Sequence, residues 1–111
     1  MPKKKYFSIF SQIIAKKLPA KIHYEDKDFI VFDDIHPQAP IHVLIVPKKE
    51  LAFLEDLPME EIIFMGKILQ VARQVAKKLK TSKNYRLIMN VGPNLQDVHH
   101  IHLHLMGGFK K

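Results

Sequence analysis

Hydrophobic and polar positions alternate most strictly near the end of the chain, in Val98-His99-His100-Ile101-His102-Leu103-His104-Leu105-Met106-Gly107-Gly108. From His100 to Leu105 every second residue is an imidazole and each one between is Ile or Leu. A period of two predicts a β-strand with three rings on one face and an apolar row on the other. Neighbouring rings on that face start about 6.5–7 Å apart, close enough to serve one small anionic group together. A helix would scatter them, because i, i+2 and i+4 share no helical face. His99 falls on the apolar parity and reads as the residue that opens the strand.

The same patterning places the other elements. Phe7 to Leu18 predicts a short helix with Ile9, Phe10, Ile13 and Ile14 as its apolar face, Lys16 and Lys17 at its C-terminal end and Pro19 as its stop. Residues 22–26 and 29–34 read as strands around an Asp26-Lys27-Asp28 turn. A proline-bounded loop, Asp33 to Pro40, leads to a buried strand from His42 to Val46 that ends at Pro47. Lys48 to Leu57 is a connection. A long helix is expected from about Pro58 to Lys80, with Pro58 in its first turn, Glu60 and Glu61 at the positive dipole end and Lys77, Lys78 and Lys80 at the negative end. It carries two apolar stripes, Ile62-Met65-Leu69-Ala72-Ala76-Leu79 and Phe64-Ile68-Val71-Val75. Covering a sheet needs only one, so the second, with Gly66 allowing close approach, predicts a partner subunit. Tyr85 to Val91 is the next strand and Gly92 to Asp97 a turn. Short turns between strands, two separated helices and no βαβ alternation predict an antiparallel α+β fold.

Length and composition narrow the classes. A chain of 111 residues suits one domain spanning 1–111. The absence of cysteine removes any disulfide framework and, with no apolar leader or bilayer-length run, predicts a complete cytoplasmic protein with no membrane contact. The net charge of +7 welcomes anionic ligands. Its lysines are scattered over termini, helix ends and loops rather than gathered in a stripe, so no specific nucleic-acid binding is expected. Residues 1–5 are basic and are expected to be flexible.

Three imidazoles on one strand face admit three readings. They could be histidines without chemistry, although the strict alternation speaks against it. They could ligate a metal, imidazole being the commonest protein ligand, but a closed zinc site would need further donors from elsewhere. They could catalyse covalently on phosphorus, one ring attacking while its neighbours orient it and neutralise phosphoryl oxygens.

The chain resembles the histidine triad (HIT) proteins of the Hint branch, the purine-nucleotide-binding phosphoramidases. The resemblance rests on Ile9-Phe10 with Ile13-Ile14, Pro19-Ala20-Lys21-Ile22, Phe32 to Pro40, His42 to Lys49, Tyr85-Arg86, Asn90, Gly92, Gln96 and the triad strand with Gly107-Gly108. It spans nearly the whole chain. It implies a five-stranded antiparallel sheet with two helices, dimerising into a ten-stranded sheet through the 58–80 helix and an adjacent strand.

The resemblance also implies roles. His102 would be the nucleophile that takes up a nucleoside monophosphate, His100 would orient it, His104 would contact phosphate and leaving group, and His42 would support the site. The purine would lie among Ile9, Phe10, Ile13, Phe32 and Ile35. Asp34 would accept the ribose hydroxyls, and Asn90 and the turn Leu95-Gln96-Asp97 would address the sugar–phosphate. The implied activity is hydrolysis of the P–N bond of nucleoside 5′-phosphoramidates, on an AMP- or GMP-type nucleotide, with no metal and no cofactor required.

Departures from that branch bear on the leaving group. Leu95-Gln96-Asp97 stands where these proteins have Gly-Gln-Ser, and the chain ends at Lys111 without their longer tail. Asp97 would either repel an anionic substrate or relay a proton if its pKa is raised. The alternatives are a dinucleoside polyphosphate hydrolase of the Fhit-like branch, against which Gly107-Gly108 speaks, and a nucleotide-binding or scaffolding module with little turnover.

Overall fold

A computed structural model describes residues 8–110. The basic segment 1–5 and Phe7, the expected start of the first helix, lie outside the described residues. The elements in chain order are α1 (Ile9–Ile14), β1 (Ile22–Glu25), β2 (Phe29–Asp33), β3 (Ile41–Pro47), α2 (Ile62–Lys78), β4 (Tyr85–Ile88) and β5 (Leu103–Gly107). The strands form one antiparallel sheet in the order β1-β2-β3-β5-β4. This is the α+β architecture of five strands and two helices that the patterning and the resemblance predict.

Strand alternation assigns each residue to a face. Phe29 and Val31 of β2, Val43 and Ile45 of β3, and Leu103 and Leu105 of β5 pack against Ile68, Val71, Ala72, Val75 and Ala76 of α2. Ile30, Phe32, Leu44 and Val46 pack on the opposite face against Phe10 and Ile13 of α1. The histidines of β5 have the parity of the α1 face. One helix therefore seals the sheet, and the other, only six residues long, leaves part of its face open.

Both helices are shorter than the patterning predicts. The first stops at Ile14 rather than running to Leu18, because Lys16 adopts φ 64° and the N–H groups of Lys16 and Lys17 return to the carbonyls of Ile13 and Gln12. The second begins at Ile62, since Pro58 to Glu61 close a turn through the Glu61 N–H and the Pro58 carbonyl. It ends in the same way, with Lys80 at φ 62° and bonds from Lys80 and Thr81 to the carbonyls of Lys77 and Ala76. Paired bonds of this kind, with a left-handed residue after the last turn, are a Schellman ending, most often made with glycine.

The histidine strand is also shorter than its alternation. Its ladder with β3 stops at Ile45 and Leu103, so of the three rings only His104 lies in the paired strand. Pro47, which would come next opposite Ile101, has no N–H to offer. Its carbonyl takes the ring of His100 instead, while the Ile101 N–H bonds to the Leu51 carbonyl. At the other end Gly107 is required, because a Cβ there would collide with the Thr81 side chain.

Candidate active site

The open part of the α1 face is a cleft of about 560 Å³. Ile9, Phe10 and Ile13 of α1 and Phe32 of β2 form an apolar wall, and Ile35 stands 79% exposed at the rim. Asp34, His42, Asn90, Asp97, His102 and His104 supply the polar lining. Most of the expected pocket residues therefore come together in one place.

Three do not line it. Leu95 is exposed on the turn. The Gln96 side chain is buried and committed to backbone groups of its own turn and of the 48–57 connection, donating to the carbonyls of Val98 and Ala52 and accepting from the Gly92 N–H at 2.9 Å. Gln96 thus shapes the 92–98 turn that brings Asp97 and Val98 to the cleft. The ring of His100 is wholly buried and turned away, and its backbone carbonyl, not its ring, reaches His102.

The partners of each ring dictate its tautomer. His102 Nδ1 lies 2.7 Å from the His100 carbonyl, which only accepts, so the proton is on Nδ1 and the Nε2 lone pair is free. His42 Nδ1 accepts the Gln38 N–H at 3.0 Å, so its proton is on Nε2. That N–H points at His104 Nδ1, 2.9 Å away, which leaves the His104 proton on Nε2. Among the described residues neither His102 Nε2 nor His104 Nε2 has a hydrogen-bond partner, and no buried side-chain N or O atom goes unpaired, so both nitrogens open to the cleft. A lone pair and an N–H donor stand side by side on rings whose centroids are 5.0 Å apart.

Electrostatics keep these rings neutral. Burial pushes His102 below the ordinary histidine value of 6.5, offset in part by its bond to the His100 carbonyl and by Asp34 and Asp97. Burial also lowers His104, helped by the neighbouring His102 and His42 and opposed by the same two carboxylates. Phe10 packs edge-on against His102, with centroids 4.9 Å apart. Asp34 is held by its own loop: Oδ1 accepts the His36 N–H at 2.9 Å, and Oδ2 lies 3.4 Å from His42 Nε2. Such a site can present a neutral nucleophile and a donor to one phosphoryl group, with an acidic acceptor for hydroxyl groups nearby.

The patterning missed a second set of residues. Ser8, Ser11 and Glu50 bond around the His100 ring, although Glu50 is 39 residues from Ser11 and Ser8 is 92 from His100. Nothing in the local sequence signals those contacts. The Gln38 N–H, which fixes two tautomers, is a backbone group and equally silent.

Comparison with known proteins accounts for the arrangement. The HIT domain pattern matches residues 15–111. A 14 kDa zinc-binding protein of Zea mays is 43% identical over 104 residues, covering 91% of this chain and 81% of the relative. The crystal structure of a HIT family hydrolase from Legionella pneumophila superposes with a TM-score of 0.86 at 40% identity, covering 92% of this chain and 93% of that one. A histidine triad nucleotide-binding protein from Candida albicans aligns with a TM-score of 0.76 at 34% identity, over 88% and 72% of the two chains. By its sequence, its sheet order and its triad, the chain belongs to the HIT family.

Proposed function

We propose that this protein is a nucleotide-binding hydrolase that cleaves the P–N bond of purine nucleoside 5′-phosphoramidates. The observation that carries the reading is the pair of opposite tautomers, the His102 Nε2 lone pair beside the His104 Nε2–H, in one cleft with Asp34 and an apolar slot. The names of the Legionella and Candida relatives, a hydrolase and a nucleotide-binding protein, support it at the level of class.

The base lies among Ile9, Phe10, Ile13, Phe32 and Ile35, and the ribose hydroxyls donate to Asp34. In the first displacement His102 Nε2 bonds to the α-phosphorus as the P–N bond breaks. The nitrogen leaves as an amine that takes its proton from solvent while the His104 Nε2–H donates a hydrogen bond to the phosphoryl group, and the His100 carbonyl steadies the charge that develops on His102. In the second, the oxygen of a water bonds to phosphorus as the His102 Nε2–P bond breaks and one water proton passes to solvent, releasing the monophosphate. Asn90 and Asp97 sit where the sugar–phosphate and leaving group pass, so Asp97 bears on which amines are accepted.

The reading requires no metal. Asp34, His42 and His104 do bring three N and O donor atoms within 4.8 Å of one another, a set that suits zinc. A divalent cation there would replace the proton shared by His42 and His104 and supply positive charge toward phosphate oxygens. Unchanged turnover after chelation keeps the metal-free reading, and a chelator-dependent loss restored by zinc replaces it.

A homodimer belongs to the same proposal. Met59, Ile62, Ile63 and Leu69 are exposed on the N-terminal half of α2 and just before it, with nothing within 4 Å of where a Gly66 Cβ would stand. The strand β4 is a sheet edge that a second copy would extend to ten strands. Light scattering at micromolar concentration should read a dimer, and a monomer overturns this part.

The test of the reaction is steady-state hydrolysis of adenosine 5′-phosphoramidate and of a diadenosine polyphosphate, side by side. Preference for the phosphoramidate, lost in His102→Ala, is the expected result. Preference for the polyphosphate would assign the Fhit-like reaction, and nucleotide binding without turnover would make the protein a binding module.

A further inference from the structure

The His100 ring is gripped at both nitrogens behind the cleft. Nε2 lies 2.8 Å from the Pro47 carbonyl. Nδ1 lies 2.8 Å from Ser8 Oγ and 3.4 Å from Ser11 Oγ. The two hydroxyl oxygens are 3.2 Å apart, and Ser11 Oγ donates to Glu50 Oε1. Glu50 Oε2 is 3.8 Å from His100 Nδ1. These groups come from the cap and first turn of α1, the end of β3, and the residues just after it. They meet on a ring that carries no exposed surface.

From this network we infer that Glu50 is a positioning residue for the triad. Through Ser11 and Ser8 its carboxylate holds the His100 ring in place. It thereby holds the His100 carbonyl, which dictates the tautomer of His102. The inference rests on the proposed role of His102 as nucleophile.

The donor polarity of the chain supports it. A carboxylate accepts only, so the Ser11 hydroxyl must point at Glu50 and turn its lone pairs toward Ser8 and His100. The Pro47 carbonyl also accepts only, so Nε2 of His100 keeps its proton. In the neutral ring Nδ1 then accepts the Ser8 hydroxyl. In a protonated ring the Ser8 hydroxyl turns, and Nδ1–H, Ser8 and Ser11 all donate in one direction that ends on Glu50. With Glu50 ionised, both charge states of the ring are bonded without the ring moving. Removing the terminal acceptor frees the Ser11 hydroxyl to turn toward Ser8 Oγ or His100 Nδ1, where it competes with the Ser8–His100 bond.

The electrostatic surroundings agree. Among the described residues, the titratable groups facing His100 are Glu50 and the ring of His102, while Ser8 and α1 contribute two hydroxyls and the ring of Phe10. Burial lowers His100 below the ordinary value, and the Pro47 carbonyl and Glu50 oppose that. A single residue, Ile101, separates the gripped ring from the nucleophile, so slack in one is slack in the other. A displacement of about 1 Å at a reacting group can cost about 10²-fold in rate.

The experiment uses the full chain as wild type, Glu50→Gln, Glu50→Ala and Ser11→Ala. The tautomer and titration of His100 and His102 are read from imidazole ¹⁵N shifts without substrate, and kcat and KM on adenosine 5′-phosphoramidate are followed against pH. Glu50→Ala should lower kcat about ten- to a hundredfold with KM within about twofold, and mix the His102 tautomers. Ser11→Ala should do the same. Glu50→Gln keeps an acceptor for Ser11 but no charge, so it should retain the His102 tautomer while moving the His100 titration to lower pH. Folded Glu50→Ala or Ser11→Ala protein with the wild-type His102 tautomer and unchanged kcat overturns the inference. If wild type turns over no phosphoramidate, the proposed reaction fails, and the ¹⁵N spectra still decide the role of Glu50. If Glu50→Ala does not fold, Ser11→Ala and Glu50→Gln carry the decision.

Discussion

The two faces of the sheet are built from the same strands, residue by residue, and do opposite work. Under α2 the inward side chains are Phe29, Val31, Val43, Ile45, Leu103 and Leu105, all apolar and closed from water. Under α1 the same strands present Ile30, Phe32, Leu44 and Val46 together with His42 and His104, and His100 and His102 stand just before β5. A buried imidazole costs stability unless it is hydrogen-bonded, and each of these rings is. The comparison teaches that the sealed face provides the stability that lets the open face carry polar groups in fixed tautomers.

The sharpest break of that comparison is His102→Ala. Turnover of the phosphoramidate should fall by roughly 10³-fold or more, with a smaller loss of stability than a core deletion brings, because the ring borders the cleft on one side. Unfolding of His102→Ala far below the wild-type temperature would show that the open face also bears stability.

The mirror experiment lies on the other face. Leu105→Ala, at a site with no exposed surface, should destabilise by about 2–5 kcal/mol in denaturant unfolding while kcat per folded molecule stays near wild type. A loss of kcat in folded protein would mean that the faces are not separable.

A third test uses pH. His100, His102 and His104 are each held below 6.5 in the folded chain, chiefly by burial. Between those lowered values and 6.5 the unfolded chain binds more protons than the folded one. Stability should therefore fall as pH drops through that window and be level above it. The same lowering keeps His102 neutral, so the acid limb of kcat/KM should lie below pH 6.5. Calorimetry and a rate profile check the two halves.

The smallest effect lies away from both faces. Lys80→Gly, at φ 62° after α2, should raise stability by about 0.5–1 kcal/mol and leave kcat alone, since glycine takes that conformation without strain.

The split between faces was legible in the sequence, because a period of two is what alternate burial requires. The triad was legible for the same reason, and the family resemblance supplied Asp34, the apolar wall and the choice among readings of the rings. The boundaries were not. Lysine at the left-handed positions 16 and 80 hides helix endings that glycine would have announced, and the stop of the β5 ladder is written in Pro47, a residue of another strand. Gln96 illustrates a further limit: its motif position identified the turn, but only tertiary contacts show its amide tying that turn to Ala52 rather than lining the cleft. The Glu50 network joins side chains far apart in sequence, each ordinary in its own neighbourhood.

The alternation of β5 makes the site far more vulnerable to a shift in reading frame along the strand than to most point changes. A one-residue insertion or deletion between Ile101 and Leu105 would slide the histidines to the α2 side and the leucines to the cleft. It would bury imidazoles without partners and wet the core in one step. Substitutions can retune this strand one residue at a time, but its length is fixed jointly by stability and chemistry, so variation should enter through side-chain identity and through the 92–97 turn.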